Sequence, residues 1–227
     1  MALDTRVLKT RSITAFVFVV VMLGGLFIHP QAYRILFALI MGGCLQEFFH
    51  HNPKLGEKNK MVRAIVGTCY IVIPILLMID LGTHASFSQD RFLPLYAIGI
   101  LFSIWINDTM AYLVGSMIGR TPLSVVSPKK TWEGTIGGIL LSVGIISLAG
   151  KYIPVAKAIP SFNWTMIALI SAVFGTFGDL VESKWKRMAE IKDSGSFMPG
   201  HGGFLDRFDS LLMAATPVWI YIKCIAG

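Results

Sequence analysis

Seven apolar segments punctuate the chain, at about 13–28, 33–49, 64–80, 93–118, 134–149, 164–181 and 209–226. No other feature limits the fold so strongly. Each segment approaches the roughly 20 residues that carry an α-helix across a bilayer. A hydrocarbon interior offers the backbone no partner but itself, so only helices and closed barrels cross it. These runs lack strand alternation and therefore read as helices. The expected fold is all-α, a polytopic membrane helix bundle of about seven transmembrane helices. Six to eight are admitted, because several runs are short and 93–118 reads either as one tilted helix or as two shorter elements. Composition agrees: 15% of the residues are charged and the mean hydropathy is +0.66, whereas soluble domains carry about 25% charge.

Lysine and arginine suggest an orientation. Fifteen of the 20 fall in segments 1–12, 50–63, 119–133 and 182–208. The positive-inside rule then puts the N-terminus and these loops in the cytoplasm and the C-terminus outside. This favours a single crossing for 93–118, since two would reverse the later loops. A net charge of +7 in a soluble chain would raise nucleic acid as a partner. In a membrane chain, the inside bias and an anionic lipid or nucleotide account for it, so no nucleic-acid partner is expected. The basic start (Arg6, Lys9, Arg11) before an apolar run resembles a signal peptide, but lacks an evident small-residue cleavage site. It is read as a retained first span.

Residues 1–227 are expected to form one integral membrane domain, with 1–90 as scaffold spans and 91–227 as catalytic spans and loops. The early spans are polar only at Gln46 and Glu47, near a cytoplasmic end, and scaffolding and lipid contact are the expected tasks. Cys44, Cys69 and Cys224 lie singly in apolar runs, without zinc-ligand spacing, and read as reduced packing residues.

Three stretches carry chemistry. In the fourth apolar segment, Asn107-Asp108 is followed by Tyr112 and Gly115, and Asp108, Tyr112 and Gly115 share a helix face. A carboxylate at that depth is costly and marks a functional site unless it pairs with a neighbouring span. The second stretch, Ser127-Pro128-Lys129-Lys130-Thr131-Trp132-Glu133-Gly134, sets two lysines and hydroxyls before a helix N-terminus, where backbone N–H groups favour phosphate. A positive-inside flank is its ordinary alternative.

The third runs from Asp179 to Asp209 and holds six of the chain's 13 acids: Asp179, Glu182, Glu190, Asp193, Asp206 and Asp209. Five cations accompany them. Hard oxygen ligands suit Mg²⁺, and Lys and Arg suit phosphate. Asp179, Glu182 and Ser183 share one helix face; Asp206 and Asp209 share another. Two helix ends can then point carboxylates at one spot, with Asp179 and Asp206 as the primary metal ligands and Glu182 and Asp209 behind them. Asp193 either binds metal or orients Lys192. Gly200-His201-Gly202-Gly203 permits tight turns and a close backbone approach to a ligand. Lys186, Arg187 and Arg207 are placed to neutralise phosphate oxygens.

These residues also carry a family resemblance. Ser183, Lys186, Arg187, Lys192, Asp193, Gly195, Pro199, Gly200, His201, Gly202, Gly203, Asp206, Arg207 and Asp209 match a long fixed pattern. It is similar to that of the phosphatidate cytidylyltransferases, or CDP-diacylglycerol synthases. The Ser127–Gly134 run, the Gly178–Ser183 element, and Asn107, Asp108, Ala111, Tyr112 and Gly115 resemble further motifs of the family, in its order. The resemblance covers about 107–210. It implies an enzyme that joins CTP and phosphatidate, giving CDP-diacylglycerol and pyrophosphate in phospholipid biosynthesis. It also implies Mg²⁺ at Asp179 and in the Asp206–Asp209 element, with a second cation as an option. Nucleotide contacts by Lys129, Lys130 and Thr131, and a homodimer, are further implications. The membrane would be a bacterial-type inner membrane, with the site facing the cytoplasm.

The expected catalytic residues are thus Asp179, Asp206, Lys192 and Arg207. The expected substrate contacts are Asn107, Asp108, Tyr112, Ser127, Lys129, Lys130, Thr131, Glu133, Ser183, Lys186, Arg187, Asp193, His201, Gly202 and Gly203. Two alternatives stay open: transfer to another lipid phosphate, and a non-catalytic transporter or scaffold. A CDP-alcohol phosphotransferase fits poorly, because Asp206-x-x-Asp209 continues with Ser210 rather than Gly.

Overall fold

The computed structural model describes residues 5–51, 60–83, 92–197 and 202–226. Its helices are α1 (Thr5–Phe27), α2 (Pro30–His51), α3 (Lys60–Gly67), α4 (Ile73–Thr83), α5 (Leu95–Ile118), α6 (Trp132–Tyr152), α7 (Ser161–Met188) and α8 (Leu205–Tyr221). The seven apolar segments map onto them in order, with α3 and α4 sharing the third. Among the described residues, five helical stretches are long and apolar enough to cross a membrane: Pro30–His50, Ala64–Thr83, Leu95–Ile118, Trp132–Tyr152 and Ser161–Met188. The chain is an all-α polytopic membrane protein.

The third span is continuous but carries a π-helical turn, Thr68–Val72, where the Ile73 N–H bonds back to the Thr68 carbonyl. Pro74 follows. It has no N–H for the i−4 carbonyl, so the ladder loosens by one residue just ahead of it. The fourth segment is one unbroken helix, α5, which settles the one-or-two question left open by its polar Asn107–Asp108 step.

Two features differ from the sequence-based reading. The Ser127 stretch is not a bare loop: Ser127–Thr131 is a strand (β2) pairing antiparallel with Pro122–Ser124 (β1). Prolines at 122 and 128 favour extended backbone, and the Val126 N–H donates to Ser124 Oγ in the turn. Helix α7 continues past Ser183 to Met188, so Lys184, Lys186 and Arg187 lie on the helix rather than in a loop.

Helix α8 lies at the centre. It packs on α7, α4, α5 and α2 through Phe208, Leu211, Leu212, Ala215 and Val218, all buried in one core with Phe37, Ile75, Met78, Ile100 and Ile167. Large apolar side chains such as Phe16 and Val20 on α1, Leu39 on α2 and Leu140 on α6 face outward, as lipid-facing surfaces require. Helices α5 and α6 meet backbone to backbone. A Cβ on Gly134 would lie 2.7 Å from the Ala111 carbonyl oxygen and 2.9 Å from Gly115 Cα. Small residues permit such an approach between membrane helices.

Candidate active site

Three separate stretches of sequence converge on one cleft of about 440 Å³. Helix α5 contributes Asn107, Asp108, Tyr112 and Gly115. Strand β2 contributes Lys129, Lys130 and Thr131, α6 contributes Thr135, and α7 contributes Thr176 and Asp179. Lys130 Nζ lies 2.8 Å from Asp179 Oδ2, bridging the cleft between β2 and α7.

The local chemistry holds this wall in place. Thr131 caps α6 by accepting the Gly134 N–H at 3.1 Å, satisfying a donor that the helix start leaves free. Glu133, in the first turn of α6, accepts from the Thr121 N–H (3.2 Å), the Thr121 hydroxyl (2.9 Å) and the Arg120 N–H (3.2 Å). It ties the end of α5 and the hairpin to α6. It does not line the cleft, and neither does Ser127, the first residue of β2. Thr135 and Thr176 were not among the expected site residues. Helical spacing points to both, since Thr135 lies four residues after Thr131 and Thr176 three before Asp179.

Behind the cleft is a second polar layer. Asp209 is buried on α8, where it accepts the Ser210 N–H at 2.6 Å. It is near enough to Asp179 and Asp108 for the three charges to act on one another. Glu182, on the next turn of α7, is paired with Lys186.

Asp206 sits ahead of the seventh apolar segment, and its carboxylate is engaged on both oxygens. Lys186 Nζ lies 2.7 Å from Oδ1. The Ser194 N–H (2.8 Å), the Ser194 hydroxyl (3.0 Å) and the Gly203 N–H (2.8 Å) all donate to Oδ2. Burial opposes its ionisation, but the Gly203 amide and the Lys186 ammonium outweigh that and hold the carboxyl down at about 2. The expected pairing of Asp179 with Asp206 as free ligands at one spot is therefore not how the two side chains lie. Asp179 opens on the cleft, while Asp206 organises the segment before α8.

The remaining expected residues are spread around this layer. Ser183 is half-buried on α7, and Arg187 is exposed on its last turn. Lys192 and Arg207 are exposed. Asp193 lines a separate polar pocket of about 540 Å³ with Glu47, His50 and Ser194. Gly202 takes φ +83°, where L side chains are strained. His201 lies outside the described residues.

Among the described residues, no three His, Cys, Asp or Glu side chains are grouped to hold a metal by themselves. Mg²⁺ commonly takes one or two carboxylates and fills its octahedron with water and substrate phosphate. Asp179 and Asp108 on the cleft, with Asp209 behind it, are oxygen donors of the kind such an ion takes.

The fold and the cleft define a class: polytopic helical membrane proteins that gather lysines and carboxylates into one cleft. Comparison with known proteins gives the family. Residues 54–225 match the model of the cytidylyltransferase family, and the chain belongs to that family. It is 46% identical over 123 residues to a phosphatidate cytidylyltransferase of Staphylococcus aureus (strain COL), covering 52% of this chain and 45% of that protein. It is 38% identical over 158 residues to the phosphatidate cytidylyltransferase of Thermotoga maritima, covering 63% of this chain and 57% of that one. It is also 44% identical over 117 residues to phosphatidate cytidylyltransferase 4, chloroplastic, of Arabidopsis thaliana, covering 52% and 29%. The matched regions thus span between about a third and somewhat over half of these relatives.

Proposed function

We propose that the protein transfers CMP from CTP to phosphatidate, releasing pyrophosphate and forming CDP-diacylglycerol. The observation that carries this reading is the convergence of Asp108, Lys129, Lys130, Thr131 and Asp179 on one cleft. A phosphate monoester is already ionised near neutral pH. Its oxygen attacks the α-phosphorus of CTP, a new P–O bond forms, and the bond from the α-phosphorus to the bridging oxygen breaks. The electron pair leaves with pyrophosphate. No strong base and no covalent enzyme intermediate are needed, so the protein's part is positioning and charge neutralisation.

Lys129 and Lys130 neutralise phosphate oxygens, and Thr131 and the start of α6 add donors on the same side. Asp108 and Asp179 are the residues that would hold Mg²⁺ in the cleft. When bound there, it would supply charge neutralisation for the phosphates. A cytoplasmic, inner-membrane site is part of the proposal and is supported by the bias of Lys and Arg. Acyl chains would enter from the adjoining leaflet.

The test is turnover by purified protein in detergent with labelled CTP, phosphatidate and Mg²⁺. CDP-diacylglycerol and pyrophosphate are expected in equal amounts, and both are expected to vanish with EDTA and with Asp179→Asn. No product from folded protein with phosphatidate, but product with another lipid phosphate, would move the acceptor. No product with any lipid phosphate would end the catalytic reading in favour of a transporter or scaffold.

A further inference from the structure

Helix α8 starts without a cap of its own, since Phe204 offers its free N–H groups no side-chain acceptor. A residue from the far end of the sequence fills that role. Glu47, near the end of α2, accepts the Phe204 N–H on Oε1 at 2.8 Å and the Leu205 N–H on Oε2 at 3.0 Å. A carboxylate at a helix N-terminus satisfies orphan donors and complements the helix dipole. The same Oε2 takes the Ser194 hydroxyl at 2.7 Å. That hydroxyl has one proton and faces two carboxylates, Glu47 and, at 3.0 Å, Asp206.

The backbone is shaped around this side chain. A Cβ on Gly195 or on Gly203 would overlap the Glu47 carboxylate. The close approach foreseen for Gly203 is thus to a group of the protein itself. Glu47 lies outside residues 54–225, the part that matches the family.

We propose that Glu47 is a positioning residue for the reaction: by fixing the start of α8 and, through Ser194, the carboxylate of Asp206, it sets Asp209 one turn further along α8 behind the cleft, without touching the nucleotide. The inference rests on the proposed transferase activity. It separates two parts of the site. The cleft of α5, β2, α6 and α7 does not include Glu47, so nucleotide binding and turnover are expected to respond differently to its loss.

The test uses the full chain in detergent and Glu47→Gln, which keeps the shape but turns one acceptor oxygen into a donor. The expected result is a fall in kcat of tenfold or more with KM for CTP changed less than threefold. Trypsin cleavage after the exposed Lys192 is expected to quicken about fivefold, a readout that needs no turnover. Unchanged cleavage would overturn the anchoring, and a kcat equal to wild type, or equal losses in kcat and CTP affinity, would overturn the positioning role. A wild-type chain that makes no product would defeat the transferase reading, whatever cleavage shows. If Glu47→Gln does not fold, Ser194→Ala removes only the shared hydroxyl. A kcat lowered at least threefold at constant KM for CTP supports the link to Asp206, and an unchanged kcat overturns it.

Discussion

Replacing Gly138 by alanine tests the close crossing of α5 and α6 on which the cleft depends. The added Cβ would sit 2.7 Å from Ala111 Cβ, 2.9 Å from the Ala111 nitrogen and 2.9 Å from the Asn107 carbonyl oxygen. Ordinary contact begins at about 3.4 Å, so the helices would have to part by roughly half an ångström or more. Two of the three obstacles are main-chain atoms, which cannot rotate aside. Overpacking of this kind costs about 1–3 kcal/mol. Alanine also gains about 1 kcal/mol of helix propensity over glycine, which would blur the result taken alone. Gly144, on the same helix, has nothing within 4 Å of its ideal Cβ, and Gly144→Ala carries the propensity gain without the clash. The comparison cancels propensity, so Gly138→Ala should be less stable than Gly144→Ala by about 1–3 kcal/mol. Denaturation in a fixed detergent measures this. Because Asn107 and Ala111 line the cleft, Gly138→Ala should also weaken CTP binding about tenfold, and Gly144→Ala should not. Equal stability of the two variants would refute the backbone contact.

Other consequences can be checked with the same material. Lys130→Met should weaken CTP binding at least tenfold in equilibrium dialysis, with Lys130→Arg retaining part of it, since Lys130 is the cation bridging to Asp179. Glu133→Ala, which unties Thr121 and Arg120 from α6, should raise KM for CTP severalfold while leaving kcat within a factor of two. For Asp206, whose folded value of about 2 lies below its ordinary 3.8, ionisation contributes stability above pH 4 that is lost as pH falls toward 2. The stability gap between wild type and Asp206→Asn should therefore shrink as the pH falls below about 4.

Five of the seven apolar runs were legible as spans among the described residues, because a bilayer demands long apolar helices. The cleft was legible because the family's motifs lie close in sequence to the elements that present them. Lys129 to Thr131 lead straight into α6, and Asp179 lies on α7 with Thr176 one turn before it. What escaped was tertiary. Glu47 looked like the polar end of a scaffold span because the N–H groups it receives lie 157 and 158 residues away. Asp206 looked like a free ligand because nothing local shows that Ser194 and Lys186 fold back to occupy it. The hairpin is too short, at three and five residues, to show alternation.

The ion pair across the cleft has a further consequence. With Lys130 on Asp179, the ligand-free cleft is internally neutralised, and any incoming polyanion must compete with Asp179 for that ammonium. Once it wins, Asp179 is an uncompensated carboxylate beside Asp108, in a setting that penalises lone charge. A cation arriving next meets a site more attractive than the one the resting protein offered. The reverse order has the same effect, since a cation that takes Asp179 frees Lys130 for an anion. Under the proposed function, thermodynamic reciprocity would make the two enhancements equal, and this one contact would make the cleft respond to paired charge more strongly than to either charge alone.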